Sequence, residues 1–290
     1  MRIIDAHVHL WPRGRPGYRA ADIESLPFPA EIDGSVESLL SEMDALGVER
    51  AICVQSPWWV HDGRYLLEVV ERYPQRITAI GCLPLFLRDA DLPSATRSIG
   101  RDGLQGLRIQ VSGPDAVDIA MSDRLDPLLR RSSDTGLPIL LLSRDHRAYE
   151  AYDRIATAFP ALRIVIEHFG HVSPAFGGDS HALRTLLSLA RHRNVRVKLA
   201  IHHQHSREEF PWRDVFGLQE QLIAEFGSER LLWGSNWPMK LPSPTYGQRL
   251  ATVRDFFPFR SDLDRARILA GTAAELWPGA ACVSAAATVS

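Results

Sequence analysis

The sequence predicts an α/β fold, a single (β/α)8 barrel of TIM type, and three observations carry that reading. The chain has 290 residues, close to the ~250 typical of one eight-stranded barrel with modest insertions. Eight short apolar runs alternate with amphipathic stretches of helical period, about 25 to 48 residues from one run to the next, which favours parallel βαβ units. No glycine-rich phosphate loop follows the first run, which disfavours the open, nucleotide-binding form of such a sheet.

The strands are expected at residues 2–6, 50–55, 77–83, 106–110, 138–143, 163–168, 195–201 and 230–234. Each is apolar and bounded by Gly, Pro or Asn. Between them, residues 35–46, 64–73, 123–136 and 179–192 place Leu, Val and Ile three and four residues apart, as a helix with one buried face requires. Several of these stretches stop at Gly or run into Pro, as at Leu46-Gly47, Tyr73-Pro74, Gly136-Leu137-Pro138 and Phe159-Pro160. No linker divides the chain and no repeat recurs, so residues 1–277 form one barrel, with residues 278–290 as a tail rich in Ala, Ser and Val. Residues 11–34, Pro- and Gly-rich, form an insertion directly after strand one. That is long for a routine connection and is expected to act as a lid or substrate loop.

Composition narrows the function. A formal net charge of −2, with 45% hydrophobic and 23% charged residues, is that of an ordinary globular protein and gives no reason to expect nucleic acid or an anionic membrane as partner. No apolar run is long enough to span a bilayer. Cys53, Cys82 and Cys282 are widely spaced and read as reduced thiols. With no signal-peptide pattern in residues 1–10, the expected location is the cytoplasm. A homodimer is the default expectation for assembly, and the expected partner is a small-molecule substrate.

Histidine placement locates the chemistry. Asp5, His7 and His9 alternate along strand one, so a period of two sets all three on one face, the two imidazoles nearest its carboxyl end. Of 11 histidines, only His181 and His192 fall in expected helices. His7, His9, His61, His146, His168, His171, His202, His203 and His205 sit at strand ends or in the loops after strands, where barrel enzymes build their sites. Many such histidines face solvent, and His61, His146 and His205 are read that way. His168 stands out, because it ends the apolar run RIVIEH. Arg108 in strand four is costly inside a barrel unless paired, so its partner is a substrate carboxylate or an internal acid, Asp5 or Glu167. Lys198 in VRVKLA invites the same two readings and is taken as structural. Strand eight runs LLWGSNWP. Its Gly and Ser permit close approach, and Asn236 would face the histidines with an amide that hydrogen-bonds but cannot act as a base.

With these residues in place, the chain resembles the amidohydrolase superfamily, in particular the amidohydrolase-related family that includes decarboxylases and lactonases. The resemblance is carried by IIDAHVHLW, GLRI, IVIEHFGH, VKLA and LLWGSNWP, in that order from residue 3 to residue 238. It implies a distorted barrel of amidohydrolase type with the site at the carboxyl ends of its strands. In metal-dependent members the H-x-H pair, a histidine ending strand five and an aspartate ending strand eight bind a divalent ion, usually zinc. Here strand five ends Leu141-Leu142-Ser143-Arg144 and strand eight offers Asn236, so two of the four ligands are replaced by neutral groups. The departure points to the lactonase branch similar to 2-pyrone-4,6-dicarboxylate lactonase and sugar-acid lactonases, some of which work without metal.

The leading expectation is hydrolysis of a lactone or related ester of a small carboxylated metabolite. His7, His9 and Arg108 polarise the carbonyl, His168 acts on water as base or orienter, and Asn236 positions that water. Trp11, Trp58, Trp59, His171 and His203 line the substrate side. The cofactor is none or one zinc ion, held by His7 and His9 if a metal is bound. Two alternatives stay open. One is a zinc-dependent decarboxylase of a hydroxylated aromatic or unsaturated acid, with His171 or His202 as an added ligand. The other is a barrel that binds a metabolite without catalysis.

Overall fold

The computed structural model describes residues 1–12, 32–56, 64–83, 103–111, 114–172, 180–239 and 243–278. All eight expected strands are present: β1 (Ile4–Val8), β2 (Arg50–Val54), β3 (Ile77–Cys82), β4 (Leu107–Gln110), β5 (Ile139–Leu142), β6 (Ile164–Ile166), β7 (Val195–Ala200) and β8 (Leu231–Gly234). They pair in parallel and in sequence order from β1 to β8. The sheet then closes on itself: Asn236 N donates to His7 O at 2.8 Å, His9 N donates to Trp237 O at 2.7 Å, and Val8 bridges Trp237. The result is a nearly closed (β/α)8 barrel.

The helices lie where the apolar periodicity placed them. Val36–Leu46 starts at Ser35, whose hydroxyl accepts from Ser38 N, and stops at Gly47 in the left-handed region. Asp126–Thr135 likewise stops at left-handed Gly136. The outer core fills the space between strands and helices with residues such as Val8, Cys53, Ile109, Leu141, Ile166, Leu199 and Trp233. A separate inner cluster fills the barrel itself: Ile4, Ala6, Ile52, Val54, Ile80, Leu140, Val165 and Leu232, capped by Ala270, Ala273, Leu276 and Trp277. Among the described residues no helix is long and apolar enough to cross a membrane.

β1 differs from the expectation in position and in phase. It begins at Ile4, two residues later than residue 2, and its register slips between the pairs Asp5↔Ala51 and Val8↔Cys53, where three steps on β1 match two on β2. One extra residue is a β-bulge, which turns the side chains after it relative to those before it. Ile4 and Ala6 join the inner apolar cluster, and Asp5 therefore does not share a direction with His7 and His9 as simple alternation required. Its Oδ1 accepts instead from the backbone N–H groups of His7 and Ser235, at 3.0 and 2.9 Å, tying β1 to the segment after β8.

The insertion at residues 11–34 is described only at its ends, and Trp58, Trp59, His61 and the tail from residue 279 lie outside the described residues.

Barrel closure generates a prediction. A Cβ on Gly234 would lie 2.6 Å from His7 Cβ and 2.9 Å from His7 N, so Gly234→Ala must push β8 away from β1. We expect a loss of about 1–3 kcal/mol in denaturant unfolding, the usual cost of overpacking. Gly217→Ala, whose Cβ would meet nothing within 4 Å, is expected to show no loss.

Candidate active site

A single buried carboxylate organises the carboxyl end of the barrel. Glu167, just after β6, is fully enclosed, and its Oε1 accepts from Lys198 Nζ of β7 at 3.0 Å. The same oxygen lies 3.0 Å from His7 Nδ1 of β1. On its other side Arg108 Nε of β4 stands 2.9 Å from Oε2 as a charge pair, without the alignment of a hydrogen bond. Lys198 Nζ is also 3.1 Å from His7 Nδ1. Four strands thus meet at one residue. This identifies the internal acid facing Arg108 as Glu167.

The histidines extend from this centre. His7 Nε2 lies 3.2 Å from His9 Nε2, and His9 Nδ1 donates to Val54 O at 2.7 Å. The rings of His7 and His168 are 4.6 Å apart, and that of His171 follows 5.5 Å from His168. His168 Nδ1 and Arg108 Nη1 are buried with no hydrogen-bond partner.

Electrostatics set the charge states. Burial alone would raise Glu167, but Arg108, Lys198 and His7 together hold it well below the usual carboxylate range. Burial, reinforced by Lys198, drives His7 well below its ordinary value, and burial with the neighbouring His7 does the same to His168. His9 is pushed down to about 4 by burial and Arg108. The rings are therefore neutral at physiological pH, and His7 contacts Glu167 as an uncharged group.

Backbone strain collects at this end of the barrel. His168, Phe169 and His171 after β6, Ile201 after β7 and Asn236 after β8 all have φ between 53° and 62°, a region costly for side chains other than glycine. Gly170 (φ 63°) sits among them, where a Cβ would meet Tyr149 Oη at 2.5 Å. The β8 segment is held by Arg249, a buried cation whose Nη1 donates to the carbonyls of Ser235 (3.1 Å) and Asn236 (3.2 Å). Its Nη2 donates to Pro244 O at 2.9 Å. Burial lowers this guanidinium to about 10.

The expected site residues separate into two groups. His7, His9, Arg108, His168 and His171 come together, and Asn236 is fixed beside His7 through the backbone. His202 is buried with Nε2 3.1 Å from Gln219 Oε1 and its ring against Phe169. His203 is half-buried, 5.7 Å from the Trp212 ring. Neither joins the cluster around Glu167. Trp11 is buried over Gly34, its Nε1 donating to Ile32 O at 3.3 Å. Ser143 Oγ donates to Val111 O at 2.6 Å and is occupied in its own turn. Lys198 was read as structural and Glu167 only as a partner for Arg108. The available signal was a charged side chain in an otherwise apolar strand, Lys198 in VRVKLA and Glu167 directly after IVI.

His7, Glu167 and His168 each bring a ligand atom within 4.8 Å of the other two, a spacing that admits one divalent ion. The orphaned Nδ1 of His168 is the kind of atom such an ion would satisfy, so these three residues fit as its holders, with His9 facing His7.

Comparison with known proteins places the chain in a family. The amidohydrolase family model matches residues 4–279. The L-fucono-1,5-lactonase of Burkholderia ambifaria is 32% identical over 257 residues, covering 84% of this chain and 83% of that protein. The 4-sulfomuconolactone hydrolase of Hydrogenophaga intermedia is 29% identical over 255 residues, covering 84% and 80%. A zinc-bound amidohydrolase structure from Burkholderia multivorans superposes with a TM-score of 0.77 over 96% of this chain and all of that one, at 21% identity. The fold is that of a barrel enzyme, and the chain belongs to the amidohydrolase family.

Burial of neutral histidines predicts an acid-sensitive fold. His9, His171 and His202 are each held at about 4, by burial first in every case. In the unfolded chain each returns to about 6.5. Between those values the unfolded state binds more protons, so stability is complete above pH ~7 and falls as pH drops, by up to about 1.4 kcal/mol per pH unit for each histidine. Denaturant midpoints at pH 7.5, 6 and 5 should decrease in that order; a constant midpoint would show that these rings are not buried neutral.

Proposed function

We propose that the chain hydrolyses a lactone or related ester of a small carboxylated metabolite, using groups at the carboxyl end of the barrel. The observation that carries the proposal is a pair of buried, unpartnered atoms around Glu167: an imidazole nitrogen on His168 and a guanidinium nitrogen on Arg108. A buried polar atom left without a partner is expensive, and a substrate or water that meets both relieves that cost. The named activities of two relatives, an L-fucono-1,5-lactonase and a 4-sulfomuconolactone hydrolase, support the same class.

The roles follow from chemistry. Arg108 Nη1 donates to the lactone carbonyl oxygen and to the oxyanion that develops there. His168 Nδ1 takes a proton from the attacking water. Because burial, reinforced by the neighbouring His7, disfavours its charged form, the imidazolium so made is a strong acid and returns the proton to the departing ring oxygen. Asn236 orients the water. His7 and His9 hold the wall behind the carbonyl, and His171, His203, Trp11, Trp58 and Trp59 are assigned to substrate contact. If a divalent ion were bound, His7, Glu167 and His168 would hold it and it would supply Lewis-acid polarisation of a carbonyl, with His168 then a ligand and not the base. The cytoplasm belongs to the same proposal, supported by the buried free thiols of Cys53 and Cys82, and a homodimer enters it as the default for assembly.

The test is turnover of a panel of sugar-acid lactones and carboxylated pyrones. His168→Ala should lower kcat by about 10²–10⁴-fold, the usual worth of a positioned acid–base group, while thermal unfolding stays cooperative. Full activity in that variant would remove the role given to His168. A wild-type enzyme that opens no lactone and instead releases carbon dioxide from a hydroxylated aromatic acid would replace the hydrolase by the decarboxylase.

A further inference from the structure

We propose that Lys198 controls whether this site holds a metal ion, by fixing the hydrogen of the His7 ring on the nitrogen that closes the His7–His9 pair. The inference concerns the state of the site and holds whichever ester is cleaved.

The assignment follows from counting donors. His9 Nδ1 lies 2.7 Å from Val54 O, and a carbonyl only accepts, so Nδ1 carries the hydrogen and Nε2 of the neutral ring is a lone pair. His7 Nε2 faces that lone pair at 3.2 Å. If His7 Nε2 carries a hydrogen, the two rings are joined by a hydrogen bond and His7 Nδ1 must accept one. Lys198 Nζ, 3.1 Å away, is the donor, and it reaches Glu167 Oε1 at 3.0 Å from the same position. Every atom in the run Lys198–His7–His9–Val54 is then satisfied. In the other tautomer His7 Nδ1–H donates to Glu167 Oε1, 3.0 Å away. Two lone pairs then face each other across 3.2 Å, a repulsion that a cation bound to both would relieve.

Lys198 selects between the two. Its ammonium has no acceptor role, so it can satisfy His7 Nδ1 only when that atom is bare. It also occupies the Glu167 oxygen nearest His7, and as a fully buried positive charge it repels a second cation at close range. A divalent ion on the His9 side of the ring therefore has to reverse the His7 tautomer, and one on the Glu167 side has to share that carboxylate with an ammonium. Without Lys198 neither obstacle remains, while Arg108 still neutralises Glu167.

The experiment is a zinc titration in a chelator-buffered competition assay, with bound metal counted by mass spectrometry, on wild type, Lys198→Met and Lys198→Arg. Lys198→Met keeps an unbranched stem without the charge and should bind one zinc at least tenfold more tightly than wild type; Lys198→Arg should stay within about threefold of wild type. Equal or weaker zinc binding by a folded Lys198→Met overturns the proposal. So does a Lys198→Arg variant that tightens as much, because volume rather than charge would then decide. Ring ¹⁵N shifts of His7 in metal-free wild type, assigned against His7→Gln, give a readout independent of whether Lys198→Met folds. A hydrogen on Nε2 with a bare Nδ1 is the expected result, and a hydrogen on Nδ1 overturns the proposal.

Discussion

Glu167 carries a charge into a barrel interior that solvent does not reach, and the arrangement of the carboxyl end follows from what it takes to keep that charge there. A carboxylate removed from water without partners costs several kcal/mol even after relaxation. Arg108, Lys198 and His7 offset this from three different strands, while Glu167 itself comes from a fourth. The interaction is long-range in sequence, so it forms only when β1, β4, β6 and β7 are all in place. Removing Glu167 would leave two buried cations without a counter-charge, which couples the site to the integrity of the barrel. The carboxylate by itself favours charged imidazoles beside it, but burial first, and then the neighbouring cations, outweigh it and keep His7 and His9 neutral.

The barrel closes at the same place, and closure has its own requirements. β1 meets β8 not by a regular ladder but through His7 O, Trp237 O and the Asp5 carboxylate. That irregularity is possible because β1 carries a bulge, Gly234 leaves room against His7, and Asn236 takes a left-handed conformation that Asn tolerates better than most residues. Arg249 then holds the carbonyls that this turn leaves without strand partners. Strained residues after β6, β7 and β8 have the same logic: they turn imidazoles and amides over the mouth of the barrel, at a cost met by the packed strands below.

Most of the fold was legible in the sequence, and the reason is periodicity. Eight strands read as apolar runs because both faces of each are buried, one in the barrel and one against helices. β1 was misplaced by two residues because its polar Asp5, His7 and His9 broke the apolar run, and its phase was misread because a bulge leaves no mark in a pattern of alternation. The sequence places His7, His9, Arg108 and His168 at or near strand ends, where this architecture collects side chains, and the structure brings them close to Glu167. Glu167 was harder, since a single acidic residue before a histidine does not announce that three cations and rings converge on it. The ambiguity between His202 and His203 had a local cause: left-handed Ile201 ends β7 and starts a one-turn helix, so strand parity stops applying one residue before the first of them.

The charge balance of the cluster connects the fold to the chemistry. Around Glu167 there are two cations, Arg108 and Lys198, against one carboxylate, and the neighbouring histidines add no charge. The second buried acid, Asp5, is turned toward backbone N–H groups on the far side of the bulge, and burial raises it above the ordinary range. The centre therefore holds one positive charge in excess, with its unpartnered donor on Arg108 Nη1. A ground-state lactone brings no charge at its carbonyl, whereas the tetrahedral intermediate places one negative charge on that oxygen. An environment that gains most when the negative charge appears is one that lowers the barrier and does not merely bind the substrate. That preference is fixed before substrate arrives, by strands whose register and packing the apolar sequence pattern dictates.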